Sequence, residues 1–413
     1  MAQIQERETV PALQVCRWAE ARDSYEVSRI DGAWATKVYV CVRPDPGGTF
    51  ESQAQQVYER LDRVLSEQGA CRQDVITEKV FFHDLAEEFD ALRTARGAFY
   101  QSHSLGGPAT TYVQQQPCRP GTMLELQARV IYASKSDHEV EVEVLEADLG
   151  AGSARILRSH GYEHIYAHNI TGGSPGDGLD YAGQMEQVFD KSEALLGSLG
   201  LTFRDVVRTW LYLGEMERDY DDLNRVRSAF FERVGVERLP ASTGIQGGAY
   251  PACRDGSMDL YTVRGSGRVD KKLMHAPTLN EAPDYGSRFS RGMEVTREDR
   301  KVLSVSGTAS IDNDGQVVAV GDIEGQIQRM LTNVSGLLDG SGASPRDIVR
   351  ATTYLKDAED YGILRRIWRQ RGFPGQIPHT ICKADVCRPD WLCETEVAAI
   401  LPLSATAASA SDD

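Results

Sequence analysis

The amino-acid sequence predicts an α+β protein made of three tandem units, each a β-sheet with two helices. Three blocks recur in the same order along the chain: an amphipathic helix, an Asp-initiated buried strand and a Cys-Arg segment. The Cys-Arg dipeptides begin at near-equal intervals, 135 residues (118 to 253) and 134 residues (253 to 387). Such a period indicates a repeated structural unit.

The first block predicts a helix in each unit. A glutamine stands twelve residues before a leucine at three places, namely Gln53 and Leu65, Gln184 and Leu196, and Gln326 and Leu338. In the first copy Val57, Leu61 and Val64 recur with the three- and four-residue spacing of an amphipathic helix.

The second block predicts a buried strand that follows an aspartate. Its copies are Asp74-Val75-Ile76, Asp205-Val206-Val207 and Asp347-Ile348-Val349, and each continues into an apolar or aromatic run and then a second helix. Each unit is therefore predicted as β-β-α-β-α-β-β, with its helices on one face of a mostly antiparallel or mixed sheet. The other face would be left to pack against sister units.

The predicted division of the chain is unit one over residues 1–137, unit two over 138–268 and unit three over 269–403. Residues 134–160 and 264–284 are rich in Gly, Ser, Pro and charge, which is typical of linkers. The low-complexity segment 404–413 is expected to be disordered.

Composition excludes several functions. A chain of 413 residues exceeds a single ordinary core, so several cores are expected. The net charge of -16 argues against binding to nucleic acid or to an anionic membrane. No apolar run is long enough to span a bilayer and the first residues do not resemble a signal peptide, so a cytoplasmic location is expected. Eight cysteines without disulfide or zinc spacing predict free thiols and no metal.

The order of these elements resembles the RidA/YjgF superfamily. A Pro-Ala-like segment precedes a strand in each unit, at Pro108-Ala109-Thr110-Thr111, Pro240-Ala241-Ser242-Thr243 and Pro378-His379-Thr380-Ile381. The resemblance covers nearly the whole chain and implies a ring of three units with ligand sites in the clefts between neighbours. Because one chain carries three units, the expected state is a monomeric pseudo-trimer, with a homodimer as the alternative.

The resemblance also provides a test of function. Imine-deaminating members of the superfamily carry an arginine after Pro-Ala that clamps a substrate carboxylate in two charge-assisted hydrogen bonds. This sequence has Thr110, Ser242 and Thr380 there. An imine or enamine deaminase therefore remains an alternative that would need other residues to bind the carboxylate.

Units two and three are similar to chorismatases over about residues 160–403. The matching stretches, in order, are RTWLYL, LPASTGIQGG, Tyr285-Gly286-Ser287-Arg288, Ser306-Gly307-Thr308-Ala309-Ser310-Ile311 and Ala384-Asp385-Val386-Cys387-Arg388-Pro389-Asp390. Chorismatases split or rearrange chorismate into pyruvate and a cyclohexadiene diol or hydroxybenzoate. The segments 280–284 and 312–315 depart from the family pattern, which allows a different small cyclic carboxylate as substrate.

The candidate catalytic residues are Glu394, Glu396 and Cys387. A strand's period of two places both glutamates on one face. The resemblance implies that Glu394 is a general acid and that Cys387 shapes the product-determining step. Protonating a methylene carbon or an ether oxygen requires a carboxyl with a raised pKa. Alternatively the glutamates are exposed or pair with arginines, and Cys387 is a small core residue. Glu125 and Asp259 are predicted to occupy the position of Glu394 in units one and two.

Six further residues are predicted to bind substrate. Arg388, Arg288 and Arg291 offer planar donors for carboxylates, although Arg388 could instead hold a loop, since Arg119 and Arg254 recur at its repeat position. The others lie in or beside the matched segments, namely Ala309, Thr380 and Tyr212.

The sequence thus predicts a chorismatase-like hydrolase or lyase that binds a small carboxylate and needs no cofactor or metal. His160, His164 and His168 would lie too far apart on a strand to share one metal ion. The alternatives are the deaminase and a non-catalytic pseudo-trimer that binds a metabolite or a partner protein.

Overall fold

The structure is a computed structural model that describes residues 16–174 and 176–403. Unit one contains β1 (Cys16–Ala21), β2 (Tyr25–Asp31), β3 (Ala35–Val42), α1 (Phe50–Glu67), β4 (Val75–Phe82), α2 (Leu85–Tyr100), β5 (Ala109–Gln114) and β6 (Leu124–Ala133). Unit two contains β7 (Glu141–Leu145), β8 (Ser153–Ser159), β9 (Tyr162–Thr171), α3 (Tyr181–Ser198), β10 (Val206–Leu213), α4 (Met216–Val234), β11 (Ala241–Gln246), β12 (Gly248–Ala249) and β13 (Gly256–Gly265). Unit three contains β14 (Asp270–Leu273), β15 (Gly292–Thr296), β16 (Arg300–Ala309), α5 (Ile323–Gly340), β17 (Ile348–Leu355), α6 (Tyr361–Gln370), β18 (His379–Lys383) and β19 (Cys393–Pro402).

Each unit is one mixed sheet with two helices, which confirms the predicted α+β class. The strand orders are β1-β2-β3-β6-β4-β5-β12, β11-β10-β13-β9-β8-β7 and β14-β15-β16-β19-β17-β18. Each sheet has one parallel pair, β4 with β5, β10 with β11 and β17 with β18, and its other pairs are antiparallel. The predicted element order is wrong in one detail, because three strands rather than two precede the first helix of each unit.

The missed strands lie where the sequence analysis predicts linkers. β7 and β8 lie within residues 134–160, and β14 lies within 264–284. The run EVEVEVL around β7 alternates charged and apolar residues, and this period of two is the pattern of a half-exposed strand. The predicted boundaries fall between β6 and β7 and between β13 and β14. Segment 404–413 lies outside the described residues.

The recurring aspartate of the second block closes a tight turn before each central strand. The carboxylate of Asp74 accepts a hydrogen bond from the backbone N–H of Cys71 at 2.7 Å, and Asp205 and Asp347 do the same for Thr202 and Ser344. Each turn therefore satisfies a backbone donor that would otherwise lack a partner.

The three sheets contact each other in pairs. β12 of unit two pairs with β5 of unit one, Pro117 of unit one bridges to Cys382 of unit three, and Ala241 of unit two bridges to Ser290 of unit three. The helices cover the outer faces, so the opposite sheet faces meet in the interior. Within the described residues no helix is long and apolar enough to cross a membrane.

Candidate active site

Glu394 and Glu396 lie on β19 with their side chains on the same face, at the junction of units two and three. Ala309 of β16 and Tyr354 of β17 are the cross-strand neighbours of Glu394. Both glutamates are buried, with 4% and 5% of their surface exposed. Ala309 therefore lies beside Glu394 across the strand pair.

Glu396 is held by residues of unit two. Its carboxylate accepts hydrogen bonds from Arg208 Nη2 at 2.6 Å, from Trp210 Nε1 at 2.8 Å and from Thr243 Oγ1 at 2.6 Å. Although burial raises the pKa of a carboxyl, the charges of Arg208, Lys79 and Arg350 outweigh it and lower the pKa of Glu396. Glu396 is therefore a fixed anion that pairs with an arginine, which is the alternative interpretation of the sequence.

Glu394 has the opposite environment. No side-chain hydrogen bond joins its carboxyl to another residue of the described chain, and burial together with the charge of Glu396 raises its pKa to about 8. A Cβ atom on Gly307 would overlap a carboxyl oxygen of Glu394, so the carboxyl rests against the bare backbone of β16. At neutral pH Glu394 holds its proton and has the protonation state of a general acid.

Two predicted arginines, Arg291 and Arg388, lack a carboxylate partner within the described chain, and Arg291 lies near the Glu394 carboxyl. Arg291 is 2% exposed, donates to the backbone oxygen of Asn280 at 2.7 Å and helps to lower the pKa of Glu394. Arg388 donates to the backbone oxygen of Gly315 and stacks between the rings of Tyr285 and Trp391, each at 4.8 Å. A buried guanidinium without a counter-charge is costly unless an anion joins it.

Another buried arginine at this junction, Arg227 of α4, was not predicted. It donates to Asn224 Oδ1 at 2.6 Å and its Nε has no partner among the described residues. Its guanidinium lies 5.6 Å from the centroid of the Phe289 ring, over which Arg291 also lies at 5.7 Å, so the two arginines share one region. The sequence signal that could have revealed Arg227 was its position on the apolar face of α4, beside Val226.

Cys387 lies between the two units and packs against both of their cores. Burial and the charge of Glu394 raise the pKa of its thiol to about 12, outweighing Tyr220 and Arg388. The thiol is therefore neutral at physiological pH, which excludes a resting thiolate nucleophile at this position.

Three predicted substrate-binding residues lie elsewhere. Arg288 pairs with Glu232 near the surface at 2.9 Å. Thr380 is buried at the junction of units three and one, 3.4 Å from the Cys41 sulfur, and Tyr212 accepts a hydrogen bond from Lys79 at the junction of units one and two. These residues were predicted because they lie in or beside the matched segments. That position in the sequence did not reveal that consecutive strands face different junctions between units.

Strand pairing corrects two assignments of equivalent positions. Phe81, Tyr212 and Tyr354 occupy equivalent positions on the central strands of the three sheets. Phe81 pairs with Glu125, Tyr212 with Ser257 and Tyr354 with Glu394. Asp259 is therefore the equivalent of Glu396 rather than of Glu394. Likewise Thr380 pairs with the central strand of its sheet at the same position as Thr111 and Thr243 do in theirs. His379 therefore occupies the position in unit three at which deaminating members carry the clamping arginine. No unit has an arginine there.

This arrangement defines a class: a three-unit pseudo-trimer with a protonated carboxyl at a junction between units, near an arginine that has no carboxylate partner among the described residues. The chain belongs to the family described as Endoribonuclease L-PSP, the RidA/YjgF superfamily, whose model matches residues 44–132 and 280–401.

Curated relatives agree with this family. A RutC family protein of Pyrococcus abyssi is 33% identical over 90 residues, covering 22% of this chain and 68% of the relative. The 3-aminoacrylate deaminase RutC of Acinetobacter baylyi is 29% identical over 94 residues, covering 22% of this chain and 74% of the relative.

A solved structure has the same fold along almost the whole chain. A crystal structure of a chorismatase matches with a TM-score of 0.59 and 16% identity, covering 95% of this chain and 100% of that one. The structural similarity thus extends beyond residues 160–403 and includes unit one.

Proposed function

We propose that this protein is a hydrolase or lyase that cleaves a small cyclic dicarboxylate by general acid catalysis, with chorismate as the first substrate to test. The observation that carries the proposal is the buried Glu394 carboxyl, with its pKa raised to about 8, near Arg291, which has no carboxylate partner in the described chain. The chorismatase-like sequence segments and the similar fold support the choice of substrate.

The reaction requires the transfer of one proton to a carbon atom of the substrate. Glu394 would donate its proton to the methylene carbon of an enol ether, which leaves an oxocarbenium ion at the neighbouring carbon. Water would add to that carbon and lose a proton, which restores the acid. The hemiketal would then break its C–O bond and release pyruvate and a ring alcohol.

The other charged groups near Glu394 would bind the substrate and keep Glu394 protonated. Arg291, Arg388 and Arg227 would bind the two substrate carboxylates, because planar guanidinium donors match carboxylate geometry. Glu396 would keep Glu394 protonated, since two neighbouring carboxyls in a buried site do not both ionise readily. Neutral Cys387 would contact the ring and leave no charge near the departing alcohol.

The test is release of pyruvate from chorismate by the purified protein and by Glu394→Gln. The amide keeps the shape of the carboxyl but cannot donate the required proton, so turnover should vanish while chorismate still binds. Glu125→Gln is the matched control, because Glu125 occupies the same strand position at the junction of units three and one. Full activity in Glu394→Gln would refute the acid, and no consumption of chorismate would refute the substrate.

The deaminase relative provides a second candidate function. The similarity to the 3-aminoacrylate deaminase RutC favours ammonia release from an imine or enamine. Against it, the described chain has Thr110, Ser242 and His379 where deaminating members carry the clamping arginine. Ammonia release from freshly generated imino acids, measured with wild type and Glu394→Gln, decides between the two reactions.

A further inference from the structure

A cavity of about 340 Å³ opens where all three units meet. Its walls include Trp34 and Lys37 of unit one, Tyr162 and His164 of unit two, and Arg297 and Arg300 of unit three. None of these residues belongs to the Glu394 cluster. We call this cavity the axial chamber.

The cationic groups of the axial chamber are incompletely paired. Lys37 has no ion pair with any described residue, and burial together with Arg297 and Arg129 lowers its pKa. Arg297 and Arg300 share the single carboxylate of Asp299, at 3.7 Å from Arg297 Nη2 and 2.7 Å from Arg300 Nε. The Nε atom of Arg297 has no partner among the described residues.

Further positively charged residues surround a neighbouring cavity that shares Lys37 with the chamber. Lys37 also lines a smaller cavity of about 30 Å³, together with Arg129, Arg350 and the ion pair of Arg208 with Glu396. Arg129 and Arg350 both stack on the Tyr39 ring and neither has a carboxylate partner in the described chain. In a chain of net charge -16 such a cluster of cations is unusual. Charges of one sign in a low-dielectric cavity repel each other, and a bound anion would relieve that repulsion.

The remaining walls are largely apolar and aromatic, with Ser159, Glu298 and Asp299 as the polar exceptions. Ile131 and Leu157 are buried and line the chamber, and the Trp34 ring stacks on His160 with their centroids 3.6 Å apart. A bare inorganic anion would leave these surfaces uncovered. An anion with a flat apolar part would cover them, since aromatic rings pack favourably on one another.

We propose that the axial chamber binds a small aromatic carboxylate, with its carboxylate between Lys37 and Arg297 and its ring against Trp34. Because all three units contribute walls, the ligand would bridge them. Binding to the folded chain alone raises its stability in proportion to the logarithm of ligand concentration. The site is separate from the acid chemistry proposed for Glu394, and its occupancy needs no turnover.

The test is titration of the whole protein with benzoate, followed by calorimetry and by tryptophan fluorescence. Benzyl alcohol and inorganic phosphate are the comparison probes, because one lacks the charge and the other lacks the ring. Benzoate should bind and raise the melting temperature, whereas each comparison probe should bind at least about tenfold more weakly. Equal or tighter binding of phosphate, or no binding of benzoate, would overturn the proposal.

Variants locate the binding event. Lys37→Met should weaken benzoate binding about tenfold or more, since it removes one charge-assisted hydrogen bond. Arg288→Met should leave this binding unchanged, because Arg288 pairs with Glu232 near the surface and lines neither site. Trp34→Phe should bind benzoate and lose the fluorescence change. Benzoate binding that survives Lys37→Met and disappears in Arg291→Met would place the ligand near Glu394 and overturn the proposal. If Lys37→Met does not fold, Arg297→Gln makes the same test.

Discussion

Glu394 and Glu396 lie two residues apart on one face of β19, and the protein shifts their pKa values in opposite directions. Arg208 and Thr243 stabilise the charged form of Glu396, whereas burial and the neighbouring charge favour the neutral form of Glu394. Pairs of carboxyls separated in this way are typical of sites where one group donates a proton and the other remains an anion.

The pH dependence of turnover follows from the raised pKa. If protonated Glu394 is the acid, kcat for the proposed cleavage should be constant near neutral pH and fall as the pH rises through about 8. A pH series of pyruvate release from chorismate measures this. A rate that increases above this pH would contradict the role of acid.

Glu394 should also make the folded state less stable at high pH. Its folded pKa of about 8 exceeds the ordinary value of 4.5, so the folded chain holds the proton more tightly than the unfolded chain does. Stability conferred by the neutral carboxyl is present below about 4.5 and is lost as the pH rises through about 8. Glu394→Gln should therefore gain melting temperature relative to wild type as pH rises over this range. A difference that does not change with pH would exclude the raised pKa.

The ion pair of Arg208 and Glu396 should stabilise the junction of units two and three. Arg208→Met leaves a buried carboxylate without its cation and should lower the free energy of unfolding by about 3–5 kcal/mol. Adding Glu396→Gln to that variant should recover part of the loss, because no unpaired charge remains. Urea unfolding of the single and double variants measures this coupling, and additive losses would show that the pair is uncoupled.

Gly307 should be essential for the position of the Glu394 carboxyl. A Cβ at residue 307 would overlap that carboxyl, so Gly307→Ala should displace it and reduce kcat about a hundredfold, within the usual contribution of acid catalysis. Gly362→Ala in α6 is the matched control, since a Cβ there meets no atom within 4 Å. Kinetics and melting curves of both variants make the comparison. Equal activity of the two would refute the positioning role.

Arg227 should bind substrate although sequence patterns did not predict it. Arg227→Met should raise KM for the dicarboxylate about tenfold or more, because a charge-assisted hydrogen bond is lost. Arg288→Met removes an arginine that pairs with Glu232 outside the cleft and should leave KM unchanged. Steady-state kinetics of the two variants separates the buried arginine from the surface one, and the reverse result would return Arg288 to the site.

Local sequence patterns determined much of this protein. The repeat of about 134 residues predicted three units, and the spacing of two between Glu394 and Glu396 predicted one shared face, because both depend on periodicity along the chain. The aspartates before the central strands were visible for the same reason, since each caps a turn three residues long. The alternation of charged and apolar residues also indicated the strand at residues 141–145. It was missed because its charges resemble those of a linker.

Tertiary structure decided what those residues do. Glu396 is an anion because Arg208 and Thr243 come from another unit, 188 and 153 residues away in sequence. Arg227 faces the cleft because α4 packs against unit three, while Thr380 and Tyr212 face other junctions. The sequence thus determined the units and the faces of their strands, and the packing of three sheets decided which faces share a site. Local periodicity does not encode contacts between distant segments, and the protonation of Glu394 depends on such contacts.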